Sequence, residues 1–234
     1  MSDFGAAFAT ALHLILHGDQ ALAEIILLSL RVTLSAVGLA VLVGLPLGAL
    51  VALARFPGRG IIIALLNAFM GLPPVVVGLT VYLILSHSGP LGFLELLFTP
   101  TAMIIAQFIL VTPIIAALTR QTVADLHEEY EEQLRSLGSR RFGMALALLW
   151  DGRFSLITAV LAGFGRAFAE VGAVIIVGGN INHVTRIMTT AIVLETSKGS
   201  LPLALALGLV LIGLSLSINL AAMGMRDVAY RHYG

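Results

Sequence analysis

Residues 32–54 read VTLSAVGLAVLVGLPLGALVALA, a run without a single charged side chain. At 1.5 Å rise per residue a helix of that length spans about 35 Å, more than the ~30 Å hydrocarbon core of a bilayer. Residues 61–86 and 96–119 are uncharged as well, and Pro100-Thr101 marks a helix start inside the latter. A fourth apolar run, 154–179, is interrupted by Arg166 and Glu170, and a fifth covers 201–225. The pattern predicts an all-α, polytopic membrane protein with about five spanning helices in one domain, 1–234. An earlier apolar stretch, 4–16, is too short to cross. Phe4, Phe8, Leu12 and Ile15 form one stripe there, so residues 1–20 read as a helix lying in the interface or as a frayed extension of the first span.

The rest of the composition agrees. Hydrophobic residues make up 59% of the 234 positions and charged ones 11%, against about 25% charged in soluble domains. Net charge is zero, so no basic face for nucleic acid is expected. The chain has no cysteine, which excludes disulfides and thiolate metal sites. No Lys or Arg precedes Arg31, so the basic start of a secretory signal is not expected.

Arg55 and Arg59 follow the first span. Arg120, Arg135, Arg140, Arg141 and Arg153 follow the third, and Arg226 and Arg231 follow the fifth. With five spans these nine basic residues share one face, while Arg186 and Lys198 lie on the other. The positive-inside rule then places the N-terminus outside and the C-terminus in the cytoplasm. The segment 184–198 is short, carries two charges and is flanked by Gly179 and Gly199, which suits a half-helix or a re-entrant piece.

The cytoplasmic stretch 120–153 has helical order of its own. Leu126, Tyr130, Leu134 and Leu137 recur at helical spacing among acidic residues. Gly138 suits a left-handed cap and Ser139 can cap a second helix whose Phe142, Leu146 and Leu149 share a face. Such an elbow fits a groove in a cytoplasmic partner or packs at the membrane surface on its own chain.

Energy must come from elsewhere. The phosphate-binding loop Gly, four residues, Gly-Lys-Ser/Thr is absent, because Lys198 is the single lysine and stands between Ser197 and Gly199. Arg166 and Glu170, four apart, are expected on one helix face, either as an ion pair holding the bundle or beside a path. Pro73 and Pro74 must break or kink the second span. Asn180, Asn182, Thr189, Thr190, Thr196 and Ser197 offer weak polar contacts of the kind a conduit needs, or serve helix packing. The His87-Ser88 pair lacks a hydrolase elbow, and His13 with His17 lacks a third metal ligand. An ion-gradient transporter is the other class considered. It predicts inverted repeats, and no clear internal repeat is visible.

The segment Glu132-Gln133-Leu134-Arg135-Ser136-Leu137-Gly138 resembles the coupling loop of ABC-importer permeases, Glu-Ala-Ala, three residues, Gly; Gln133 and Leu134 replace the alanines. GRAFAEVGAVIIVGGNI (165–181) and TTAIVLETSKG (189–199) look like tungstate-importer permeases. The element Glu170 to Ala173, which contains Gly172, is similar to molybdate and sulfate permeases too. The resemblance implies a type I ABC-importer permease fold in the cell inner (plasma) membrane. It implies an ATPase subunit gripping Glu131, Glu132, Gln133, Leu134, Arg135, Leu137, Gly138, Ser139 and Arg140. It implies a soluble oxyanion-binding protein on the outer face. Five spans are few for a path, so a homodimer on two ATPases is expected. No cofactor is expected on this chain, with ATP-Mg held by the ATPase. The resemblance also places the Pro73-Pro74 kink near the gate.

Overall fold

The computed structural model describes residues 5, 8, 9, 12, 13, 20–136 and 141–233. The described residues contain helices and turns and no strand. In chain order the helices are α1 (Gln20–Leu53), α2 (Arg59–Phe69), α3 (Pro74–Leu85), α4 (Pro100–Ser136), α5 (Arg141–Asp151), α6 (Arg153–Phe168), α7 (Gly172–Gly178), α8 (Met188–Ser197) and α9 (Leu201–Tyr233), with a single 3-10 turn at Gly92–Leu94. Among the described residues three helices, α1, α4 and α9, are each long and apolar enough to cross a membrane. The number rises to five if each of two bent pairs, α2 with α3 and α5 with α6, counts as one span.

Several boundaries differ from the sequence reading. α1 begins at Gln20 rather than near residue 32. α4 starts at Pro100, as expected, and runs unbroken to Ser136. The first helix of the expected elbow is therefore the end of a 37-residue helix. The run 154–179 is not one span: α6 stops at Phe168, residues 169–171 are non-helical, and α7 follows. In the N-terminal stretch Gly5, Phe8, Ala9, Leu12 and His13 are helical, with Phe8 and Leu12 exposed. Phe4 and Ile15 lie outside the described residues.

Contacts divide the chain into two units. The first comprises Met1–Ser35, Pro73–Gln107 and Phe168–Leu220. Its centre is the contact of α3 with α7, where a Cβ on Gly78 would stand 2.7 Å from the Ala173 Cα. Only glycine permits that approach. The loop after α3 is tied to the same place: the Phe98 N–H donates to the Val177 carbonyl at 2.9 Å, and the Tyr82 and Phe98 rings meet edge to face at 6.2 Å.

The second unit comprises Ala36–Leu72, Phe108–Ala167 and Ala221–Gly234. Here α1 and α4 touch closely, since a Cβ on Gly48 would lie 2.5 Å from the Ala116 carbonyl oxygen. Ala49, Ala52, Val123, Met144 and Leu148 form one apolar cluster, with Leu126 and Tyr130 packed against it. At the α5–α6 corner Trp150 is exposed. The Arg153 guanidinium lies 5.0 Å from the Trp150 ring centroid and 4.4 Å from that of Phe154. A tryptophan beside an arginine at a helix bend is the chemistry of a membrane–water boundary.

Large apolar side chains remain exposed along the helices, among them Leu27, Leu42, Leu50, Ile61, Leu83 and Leu220. Only 17% of the most apolar window of α9 is buried. Lipid accepts such a surface, whereas water penalises it by about 25 cal/mol per Å².

Candidate functional site

In the first unit, the irregular chain from Ala169 to Ile187 surrounds α7. Glu170 is 2% exposed, and its Oε1 accepts the Ala173 N–H at 2.9 Å. The carboxylate thus satisfies an orphan donor in the first turn of α7 and complements the positive end of that helix. The Glu170 backbone carbonyl, itself outside any helix, accepts the Thr189 hydroxyl at 2.8 Å. Gly172 opens α7 in close contact with α3, since a Cβ there would meet Val75 Cγ2 at 3.0 Å.

α7 ends on Gly179, which adopts φ 69°. A left-handed residue at this cap favours glycine, and a Cβ there would also press on the Phe98 ring at 2.8 Å. Asn180 follows with φ 50°. Its Oδ1 accepts the Thr190 hydroxyl at 3.0 Å, and its amide donates to the Thr190 carbonyl at 3.3 Å. The Thr190 Oγ1 also accepts the Ile187 N–H at 3.2 Å, capping α8.

Two residues not singled out in the sequence do similar work. The buried Thr185 donates its hydroxyl to the Gly178 carbonyl at 2.5 Å and accepts the Ile181 N–H at 2.9 Å. Ser29 on α1 donates to the Ile25 carbonyl at 2.6 Å and accepts the Met188 N–H at 2.8 Å, joining α1 to the start of α8. The signal for both was present in a weak form, as a hydroxyl in an apolar run, but that cannot say which backbone group it meets.

The expected path residues therefore separate. Glu170, Thr189 and Thr190 are buried and bonded to backbone, with Asn180 partly buried beside them, whereas Thr196 and Ser197 at the end of α8 are exposed. Pro73 has φ −65° and ψ 119° and precedes α3, with Pro74 as its first residue. The break expected there is present. The expectation that Arg166 and Glu170 share one helical face fails, because α6 ends at Phe168 between them. No group of three or more His, Cys, Asp or Glu residues suited to a metal occurs among the described residues.

In the second unit the expected coupling residues cluster at the end of α4. Glu131 accepts from Arg55 Nη2 at 3.3 Å and lies 4.0 Å from His127 Nε2. Arg59 closes the end of α1, donating from Nε to the Val51 carbonyl at 2.8 Å and from Nη2 to the Ala52 carbonyl at 2.7 Å. Those carbonyls would otherwise lack partners, and a cation there opposes the negative helix end. Glu132, Gln133 and Ser136 are exposed. Leu134 and Arg135 continue the helix, while Leu137, Gly138, Ser139 and Arg140 lie outside the described residues. α5 presents Met144 and Leu148 to its own chain, and Phe142, Leu146 and Leu149 face a wide apolar hollow of ~890 Å³ alongside Leu42, Pro46 and Leu50. The shared face expected of those three residues is real.

The chain is similar in sequence to transport proteins. A probable anion ABC transporter permease protein of Haloferax volcanii is 40% identical over 211 residues, covering 88% of this chain and 91% of that protein. The tungstate uptake system permease protein of Peptoclostridium acidaminophilum is 38% identical over 227 residues, covering 97% of this chain and all of that one. A sulfate transport system permease protein of Escherichia coli is more distant, 28% identical over 159 residues, covering 65% of this chain and 57% of that protein. The family of binding-protein-dependent transport system inner membrane components matches residues 44–229. The chain belongs to that family of membrane subunits of ABC transporters.

Proposed function

We propose that this chain is the permease subunit of an ATP-driven importer for a small oxyanion, with tungstate the first choice, molybdate the second and sulfate the third. The observation that carries the reading is the end-to-end likeness to a tungstate uptake permease. Two copies pair to enclose the path and rest on two ATPase subunits, which bind and hydrolyse ATP-Mg. A soluble binding protein delivers the anion to the outer face, with the N-terminus outside and the C-terminus in the cytoplasm. The N-terminal stretch lies in the membrane interface. The missing phosphate-binding loop supports a separate motor.

Coupling runs through the end of α4 and the residues that lead into α5, from Glu131 to Arg140. The exposed Glu132 and Gln133 are free to meet the ATPase, while Glu131 ties the docking segment to the α1–α2 turn through Arg55. Along the path, Thr196 and Ser197 offer exposed hydroxyls. Thr189, Thr190, Asn180 and Glu170 hold the wall behind them, and Pro73-Pro74 supplies the gate's bend. Arg166 steadies the bundle rather than gripping the anion, since a conduit must release its cargo.

The test is uptake by vesicles holding the full complex, with tungstate, molybdate and sulfate compared with and without ATP. Tungstate uptake should require ATP and be competed by molybdate more than by sulfate. ATP-dependent uptake of sulfate alone would overturn the substrate assignment. A second test changes Gly138 to valine, which should uncouple ATPase association from membrane insertion. Normal uptake by that variant would contradict the docking role.

A further inference from the structure

A second polar site lies in the first unit, where α1 meets the turn before α8. A cavity of ~220 Å³ is lined by Glu24, Arg31, Asn182, His183 and Arg186 among apolar residues of α1. That volume holds roughly seven waters at about 30 Å³ each, room for a tetrahedral oxyanion with part of its hydration shell. Neither arginine has a carboxylate within ion-pair distance among the described residues. The Arg186 Nε is buried with no acceptor there. A buried donor left unsatisfied needs an acceptor that the surrounding protein does not supply, and a bound anion is one such acceptor. Glu24 is engaged instead by His183, whose Nδ1 lies 2.6 Å from Glu24 Oε2.

The turn that carries Arg186 is built to hold it. The backbone N–H groups of Val184, Thr185 and Arg186 all donate to the Ile181 carbonyl, at 3.2, 2.9 and 3.0 Å. Thr185 anchors the turn to the end of α7. His183 takes φ 61°, and its ring meets Glu24 of α1. By the charge count of the sequence this segment lies on the side away from the cytoplasm.

We propose that Arg31, Arg186 and Asn182 form a low-affinity binding site for a tetrahedral oxyanion at the outer mouth of the permease. The inference rests on the oxyanion-importer reading above. Guanidinium forks match the oxygens of such an anion, and the Asn182 amide adds a neutral donor. Glu24 in the same cavity opposes the anion's charge. That repulsion keeps the site weak, so an anion released by the binding protein is received and then let go. A phospholipid headgroup offers the same chemistry, so the experiment separates the two sources.

The permease–ATPase complex is placed in nanodiscs of phosphatidylcholine alone, without binding protein or nucleotide, and tungstate binding is measured by equilibrium dialysis. A parallel set contains phosphatidylglycerol. Wild type should bind tungstate saturably and less tightly at higher salt. Arg31→Gln and Arg186→Gln should each weaken binding tenfold or more, and Arg186→Lys should weaken it less. Glu24→Gln should tighten binding severalfold, an effect that a purely structural role would not produce. Binding to neutral discs that phosphatidylglycerol does not displace assigns the site to the free anion. A headgroup bound in its place, with no tungstate bound in neutral discs, overturns that assignment. A wild-type complex that transports tungstate with its binding protein and ATP but shows no saturable direct binding overturns the site and leaves the importer standing. A complex that transports no oxyanion refutes the importer itself. Loss of binding on Glu24→Gln as large as on the arginine changes overturns the site as well, and co-purification of the ATPase with every variant excludes misfolding.

Discussion

The segment 169–187 of the first unit and the α4–α5 side of the second hold their backbones by different means. In the first, one carboxylate and several hydroxyls satisfy backbone groups that no helical hydrogen bond reaches: Glu170 on Ala173, Thr189 on Glu170, Thr185 on Gly178. In the second, α5 rests on a patch of Ala49, Ala52 and Val123 through Met144 and Leu148, and its neighbouring charges meet near the surface, as Arg55 meets Glu131. Substitution should therefore hurt more in the first region than in the second. Removing a buried partner leaves its mate unsatisfied in a low-dielectric setting and costs about 1–3 kcal/mol. Removing an exposed charge costs about 0–1 kcal/mol.

The largest expected effect is steric and lies at the core of the first unit. Gly78→Ala places its Cβ 2.7 Å from the Ala173 Cα, and backbone cannot yield as a side chain does. We expect a loss of about 3 kcal/mol or more, read as a fall in the thermal midpoint of the purified complex and loss of uptake. A wild-type midpoint would remove the α3–α7 contact from the account. Next comes Glu170→Ala, expected to cost about 2 kcal/mol by uncapping α7; Glu170→Gln, which keeps an acceptor, should recover part of it. Equal losses in the two variants would mean that the carboxylate's charge, and not its bond to Ala173, carries the effect.

Thr185→Val should follow at about 1–2 kcal/mol, because the Gly178 carbonyl and the Ile181 N–H both lose their partner. Thr185→Ser should be milder. In the second unit Arg59→Ala should cost about 1 kcal/mol by freeing the Val51 and Ala52 carbonyls. Arg55→Ala should be smallest, under about 0.5 kcal/mol, since the Arg55 side chain is 72% exposed. Reversal of the last two against Thr185→Val in thermal melts would break the contrast between the regions.

The long helices were legible because lipid demands long uncharged runs, and α4 begins at the Pro100 that the sequence marks. The break at Pro73-Pro74 was legible for a local reason, the missing donor. The start of α1 was misplaced because Glu24 and Arg31 look like span limits, yet charge does not stop a helix. The same holds for α4, which continues to Ser136 through its acidic stretch. The break at 169–171 had no local sign: Ala169-Glu170-Val171 contains neither glycine nor proline. It is held open by Thr189, nineteen residues away. For that reason the pairing of Arg166 with Glu170 on one face was inferred from a helix that does not continue. The partners of Thr185 and Ser29 were hidden for the same cause, since hydroxyl spacing carries no record of which backbone group comes to meet it.

The most direct test of the whole reading is reconstitution of this chain in proteoliposomes, alone and together with its ATPase and binding protein, with tungstate uptake followed while ATP is supplied or withheld. Uptake should appear only when all three components and ATP are present. Uptake by the chain alone, without ATP, would contradict it.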